Sequence, residues 1–307
     1  DATKLLSQTI KSLRNQRFSS KVEIIVCNDG SNWSKSLSDS QKTMVYGKND
    51  IQKSHLLKKY DIDFFLIRYP TEKLGKAELI HEAIKLCQYE KVVILDDDHA
   101  LISKKSLKRF DIYLNKFDYV RGRIVFINGK PTSFFSTEVQ GTTYGFNKQL
   151  YFKFGGFPEF LFWDGMGDGN VMNWEVYKLS SNDHDIKACF AGDIITKNAA
   201  SSRWKSMHVT PESYPVRKTN FTTNFIKYYN VNPWFNKGRK KYLWMQFASV
   251  NSIISEIYYL PKIFFYTSIR YFQSLNKYVR NMLYFTSRIK YYIIRPKQLV
   301  QRLGKNW

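Results

Sequence analysis

Val92-Val93-Ile94-Leu95-Asp96-Asp97-Asp98 is the stretch on which the fold turns. Four apolar residues, three of them β-branched, read as a buried strand, and three carboxylates follow with no spacer. Upstream, Gly75 opens a helical pattern that puts Ala77, Ile80, Ala83, Ile84 and Cys87 on one face. Before that, Phe64-Phe65-Leu66-Ile67 reads as another strand, and a polar, Ser/Lys-rich loop precedes it to about Asn49. Val22 to Cys27 reads as a third strand running into the turn Asn28-Asp29-Gly30-Ser31. An opening helix is marked by Leu5, Leu6, Ile10 and Leu13. Strands alternating with helices imply an α/β fold with a parallel, doubly wound sheet. Ligands of such sheets bind beyond the carboxyl ends of strands, where both Asp29 and Asp96 to Asp98 fall.

Three adjacent carboxylates repel one another unless a cation neutralises them. A hard divalent ion, Mn²⁺ or Mg²⁺, suits such oxygen ligands and can be shared with a diphosphate. The plainer alternative is a solvated acidic turn capping the next helix. Asp29 has a plain alternative too, since Asn, Asp, Gly and Ser all favour tight turns.

Bulk composition narrows the class. The 307 residues are 43% hydrophobic and 17% aromatic, which excludes wholesale disorder. The formal charge is +22, and +17 of it lies in residues 201–307, where Glu212 and Glu256 are the only acids. That asymmetry points to an anionic partner for the tail. Three widely spaced cysteines, Cys27, Cys87 and Cys189, form no CxxC pair, so reduced thiols are expected rather than disulfides or zinc. The longest charge-free stretch of the tail, Tyr242 to Ser255, is 14 residues, too short to span a bilayer. No secretory signal opens the chain, so a cytoplasmic setting is expected. Residues 119–170 turn Gly- and aromatic-rich. Long helical stretches follow Pro233, which sets an expected domain boundary near residue 230: a catalytic portion 1–230 and an extension 231–307.

The order of these blocks resembles inverting glycosyltransferases of family 2, which have the GT-A fold. The resemblance rests on Leu13 and Gln16, on VEIIVCNDGS from Val22 to Ser31, and on LDDDHALI from Leu95 to Ile102. GKAELIHEAI from Gly75 to Ile84 is similar to that family's helix start, with His81 where Asn is usual. GFNKQLYFKFGGFPE from Gly145 to Glu159 looks like the segment before the acceptor site. It leads to Trp163-Asp164-Gly165-Met166-Gly167-Asp168, which resembles the family's Glu-Asp motif with Gly167 in place of Glu. The five blocks cover about residues 5 to 175. The family's first strand, which precedes the opening helix, has no counterpart, since the chain begins just after it.

What the resemblance implies is a mixed, mostly parallel sheet flanked by helices, here with a basic helical C-terminal extension. It implies that Asp29 binds the nucleotide base, most simply uracil, that Asp96 touches the ribose or base side, and that Asp97 also belongs to the nucleotide-sugar site. Arg68 would pair with base or phosphate. Asp98 would ligate the metal on the diphosphate, as in the family's Asp-x-Asp motif. Asp168 would be the general base, with Asp164 its nearest competitor. His208 would be a second metal ligand, with His99, beside the carboxylates, as its substitute. The plainer alternative for Asp168 is a turn former in a flexible loop between two glycines; for His208 it is a surface or packed histidine. Trp163 is either a sugar-stacking platform or a core residue. The expected activity is hexosyl or N-acetylhexosaminyl transfer from a UDP-sugar to a glycan or lipid-linked glycan, in polysaccharide biosynthesis.

From Lys262 to Arg302 basic residues interleave with aromatics, and Phe265, Ile269, Phe272, Val279, Met282 and Ile289 fit helical spacing with gaps. An anionic membrane surface ranks first as its partner, then a homo-oligomer contact, then single-stranded nucleic acid. The expected location is therefore peripheral, at the inner face of the plasma membrane. Two other readings compete with a glycosyltransferase. A nucleotidyltransferase would use the same carboxylates but lacks its Gly-rich phosphate loop. A basic nucleic-acid-binding protein would leave the carboxylate cluster unexplained.

Overall fold

The computed structural model describes residues 2–26, 43–47, 64–68, 76–126, 129–134, 142–158, 168–182, 186–198, 245–266 and 268–269. The chain divides into two compact units, Asp1–Tyr259 and Leu260–Trp307. The expected boundary near residue 230 lies outside the described residues.

The first unit opens with helix α1 (Ala2–Arg14), whose Leu6 and Ile10 are buried as their spacing requires. Of the strand expected over Val22 to Cys27, residues 22–26 are described and have no ladder partner among the described residues. They are tethered instead through Glu23, whose Oε1 accepts the amides of Gln88 (2.6 Å) and Tyr89 (3.3 Å). Strand β1 (Thr43–Gly47) pairs antiparallel with β2 (Phe64–Arg68) in a two-stranded sheet. The second strand was expected from its apolar run. The first lies inside the stretch read as polar loop, where Thr43-Met44-Val45-Tyr46 is a short β-prone island.

Helix α2 (Lys76–Leu86) buries Ala77, Leu79, Ile80 and Ile84. Strand β3 (Lys91–Ile94) follows, then β4 (His99–Leu101), helix α3 (Ser106–Leu114), and strands β5 (Tyr119–Val125) and β6 (Tyr144–Asn147). Helices α4 (Lys148–Lys153) and α5 (Asp168–Asn182), strand β7 (Ala188–Asn198) and the short β8 (Gln246–Phe247) complete the order. Residues 250–259 form a further helix, α6. In the second unit, residues 260–266 are helical, and Phe264 and Phe265 are exposed.

The main sheet is mixed, as expected, with order β3-β6-β5-β7-β4 and β8 on the side of β7. Its longest ladder, β5 with β7, is parallel, and so is β7 with β8. The β3–β6, β5–β6 and β4–β7 ladders are antiparallel. The core gathers Tyr119, Tyr144, Phe146 and Phe190 of the sheet with Ile84 of α2, Tyr151 of α4 and Val171, Met172 and Val176 of α5. Phe110, Tyr113 and Leu114 of α3 pack with Val120, Cys189 and Ile194 in a second cluster. Apolar burial of this extent is the main stabilising term, about 25 cal/mol per Å² removed from water.

The β5–β7 register jumps at Gly122/Arg123, leaving Gly192, Asp193 and Ile194 bulged out of β7. This bulge seats α6. Asp193 accepts from Ser252 Oγ at 2.6 Å and Tyr113 Oη at 2.8 Å, and it pairs with Arg109 Nε at 3.2 Å. The Gly192 carbonyl accepts from Ser255 Oγ at 2.6 Å. A Cβ at Gly192 would lie 2.9 Å from the Ser252 carbonyl oxygen, so only glycine permits this approach. The wholly buried Arg123 is bonded to Glu256 of α6 and lies 4.6 Å from the Tyr259 ring centre.

Candidate active site

The carboxylates sit in the turn between β3 and β4, so the acidic run leads into a short strand rather than capping a helix. The His99 amide donates to the Asp96 carbonyl (3.1 Å) and closes the turn. Two threonines fix it from either side. The Asp96 amide donates to Thr142 Oγ1 at 2.9 Å, and Thr9 Oγ1 of α1 donates to the Asp97 carbonyl at 2.8 Å. Beside Thr142, Thr143 has a φ of 60°, which a β-branched residue adopts only under constraint. Its amide donates to the Ile94 carbonyl (2.8 Å) and its own carbonyl accepts the Gly122 amide (2.7 Å). A Cβ at Gly122 would come within 2.6 Å of Thr143 Cγ2, so glycine there lets the strained threonine in. Gln16, one of the residues in the sequence resemblance, ties α1 to α3. Its Nε2 donates to the Ser103 carbonyl (3.0 Å) and its Oε1 accepts the Leu107 amide (3.1 Å).

The side chains of the turn converge. Asp98 and His99 are buried, and His99 Nδ1 lies 2.6 Å from Asp98 Oδ1 and 4.0 Å from Asp96 Oδ2. Lys76, first residue of α2, holds Asp96 Oδ1 at 2.6 Å. Asp96, Asp98 and His99 each bring one ligand atom within 4.8 Å of the others. An ionised carboxylate only accepts, so a proton on Nδ1 directed at Asp98 leaves Nε2 with its lone pair. That Nε2 is buried and meets no hydrogen-bond partner among the described residues. Two carboxylates with an imidazole oriented by one of them form a donor set that a divalent metal fits.

The other expected site residues distribute as follows. Asp97 is in the same turn, half-buried. Arg68 closes β2 opposite Thr43. Asp168 does not lie in a loop: it is the first residue of the 15-residue helix α5. Asp29, Trp163, Asp164 and His208 lie outside the described residues. His99, the substitute ligand of the sequence reading, is the histidine that joins the carboxylates. Thr9, Lys76 and Thr142 were not legible as site residues, because each reaches the turn from a distant segment and none stands in a recognisable motif.

His81, where the family has Asn, has a structural explanation. Its Nδ1 is 2.6 Å from Tyr151 Oη, which also accepts the Phe157 amide at 3.0 Å. Gly156, with a φ of 83°, comes close enough that an added Cβ would lie 3.0 Å from the His81 ring. The histidine thus links α2 to the α4 segment. Burial, and then the charge of Lys85, lower its pKa from the usual 6.5. Cys87 and Cys189 are free thiols, both pushed up by burial, Cys87 to about 11. Neither is suited to nucleophilic catalysis.

Helix–strand order, the mixed sheet and a carboxylate turn whose donor set a divalent metal fits mark an α/β protein with a candidate metal site after β3. The chain belongs to glycosyl transferase family 2, whose model matches residues 2–166. No curated protein matches it significantly. Similar solved structures include S. aureus TarS 1-349, at 16% identity and a TM-score of 0.43, covering 65% of this chain and 56% of that one. The same protein in complex with UDP-GlcNAc gives 14% and 0.40, covering 65% and 54%. The mannosyltransferase PcManGT from Pyrobaculum calidifontis, in complex with GDP-Man and Mn²⁺, gives 16% and 0.46, covering 66% and 55%. The chain thus spans little more than half the length of these structures.

Proposed function

We propose that this protein is an inverting glycosyltransferase that moves a hexose or N-acetylhexosamine from a UDP-sugar to a glycan or lipid-linked glycan. The observation that carries this reading is the convergence of half-buried Asp96 with buried Asp98 and His99 in the turn after β3, inside the region that matches the family. Asp96 and Asp98 would hold a divalent cation, Mn²⁺ or Mg²⁺, with His99 or His208 as a further ligand. Once bound there, the cation supplies charge neutralisation to the departing diphosphate. Asp29 and Arg68 contact the nucleotide in this scheme, and Asp97 the nucleotide sugar.

Asp168 takes the proton of the acceptor hydroxyl as its oxygen attacks the anomeric carbon. The bond from that carbon to the diphosphate breaks on the opposite face, so an α-linked donor gives a β-linked product. General-base assistance of this kind is worth about 10²–10⁴ in rate. Asp168→Asn is therefore expected to lower kcat by roughly that factor while nucleotide binding is retained. The anomeric coupling constant of the product, read by NMR, checks the stereochemistry. A retained α-linkage would refute inversion, and a fully active Asp168→Asn would remove the base from its role. The basic composition of the C-terminal region supports work at the inner face of the plasma membrane, with a surface polysaccharide or glycolipid as the product.

A further inference from the structure

Helix α6 is inside out. Three of its polar residues face the protein: Ser252 and Glu256 are buried, Ser255 bonds the Gly192 carbonyl, and Glu256 is bonded to Arg123 and accepts the Phe134 amide at 3.2 Å, while Asn251 is exposed. Its apolar residues face out. Val250, Ile253, Ile254, Ile257 and Tyr258 are 71, 41, 58, 61 and 69% exposed. Their spacing of i, i+3, i+4, i+7 and i+8 makes them one continuous stripe on the helix. A helix docked only by the hydrophobic effect would be turned the other way. Here the bulge at Gly192 and Asp193 and the Arg123–Glu256 pair fix the rotation by hydrogen bonds and charge.

The geometry points to the outward stripe of α6 as a membrane-contacting surface, its partner an anionic lipid bilayer into which the apolar side chains insert at headgroup depth. The inference rests on the reading of the enzyme as working at a membrane surface, and it gives that reading a specific site within the catalytic unit. Two observations select lipid. The stripe carries no charge, because Glu256, the only charged residue from Tyr242 to Pro261, is taken up by Arg123. Residues 257–307, which follow it, contain ten Lys and Arg and no Asp or Glu, which is charge complementarity to anionic headgroups. An apolar helix face together with a basic run supplies the two signals that stable peripheral attachment requires. No helix among the described residues is long and apolar enough to cross a membrane, so the contact is interfacial.

The test is co-sedimentation of the full chain with vesicles of mixed phosphatidylcholine and phosphatidylglycerol, against pure phosphatidylcholine. The variant is Ile254→Ser/Ile257→Ser/Tyr258→Ser, all at exposed positions, with Ile254→Leu/Ile257→Leu as the conservative partner. Wild type and the Leu variant are expected to partition onto the mixed vesicles, and the Ser variant at least about tenfold less. Binding of the Ser variant equal to wild type overturns the proposal. So does a dimer, detected by analytical ultracentrifugation, that the Ser substitutions dissociate, since the stripe would then belong to a second copy. UDP binding by calorimetry in each variant separates the two claims. Its retention with lost sedimentation supports the membrane surface, whereas its absence in wild type strikes at the transferase reading alone.

Discussion

Two regions of the first unit bury charge, and they do it in opposite ways. Behind the bulge of β7, every charge has an answer. Arg123 meets Glu256 and the carbonyls of Thr132 (2.5 Å) and Gly192 (3.3 Å), and Asp193 meets Ser252, Tyr113 and Arg109. In the β3–β4 turn, Asp96 and Asp98 crowd one imidazole whose Nε2 has no hydrogen-bond partner among the described residues, and Lys76 sits on Asp96. A satisfied network fixes structure. A cluster of like charges held in place by Thr9, Thr142 and a strained Thr143 is arranged for something that binds.

The largest effect that sharpens this contrast is expected from Glu256→Ala. Leaving Arg123 buried without its carboxylate costs about 3–5 kcal/mol. At roughly 2–4 °C per kcal/mol for a unit of this size, Tm falls on the order of ten degrees. Replacing both partners, as Arg123→Met/Glu256→Leu, should recover part of that loss, because no unpaired charge remains. Thermal unfolding of the three proteins checks it, and a harmless Glu256→Ala would break the comparison.

The acidic turn should respond with the opposite sign. Asp98→Asn keeps an acceptor for His99 Nδ1 and removes one of two crowded charges. In metal-free buffer it is expected to leave Tm unchanged or to raise stability by up to about 1 kcal/mol. A clear destabilisation would make the cluster a structural network like the one behind β7.

The smallest effect concerns His81. Burial and Lys85 lower its folded pKa below 6.5, so the folded protein favours the neutral ring. The stability this contributes is fully present above 6.5 and is lost as pH falls through the folded value. Tm measured across mildly acidic pH should therefore decline less steeply for His81→Asn than for wild type. Equal slopes would remove His81 from the acid sensitivity.

Much of this was legible because local pattern and tertiary role agree. The Val92–Leu95 run, the helix after Gly75 and the acidic turn appear where periodicity and turn chemistry placed them. What failed were features decided by distant partners. Residues 22–26 are apolar enough for a strand, yet they have no ladder partner among the described residues, and Glu23 ties them to Gln88 and Tyr89. The bulge at Gly192 and Asp193 left no sequence signal, since it exists to meet Ser252 and Ser255. The rotation of α6 defied hydrophobic periodicity because a buried ion pair overrides it. At the site, Asp96 and Asp98 stood out by their run, and His99 by its place beside them. Lys76 and the supporting threonines did not, because their roles come from where the fold carries them.

The central claim, that the β3–β4 turn is the donor and metal site, is tested most directly by calorimetric titration of UDP, with and without Mn²⁺, into wild type and Asp98→Ala. The account predicts Mn²⁺-dependent binding in wild type that the substitution abolishes. Binding of UDP to Asp98→Ala with unchanged affinity and unchanged metal dependence would contradict it.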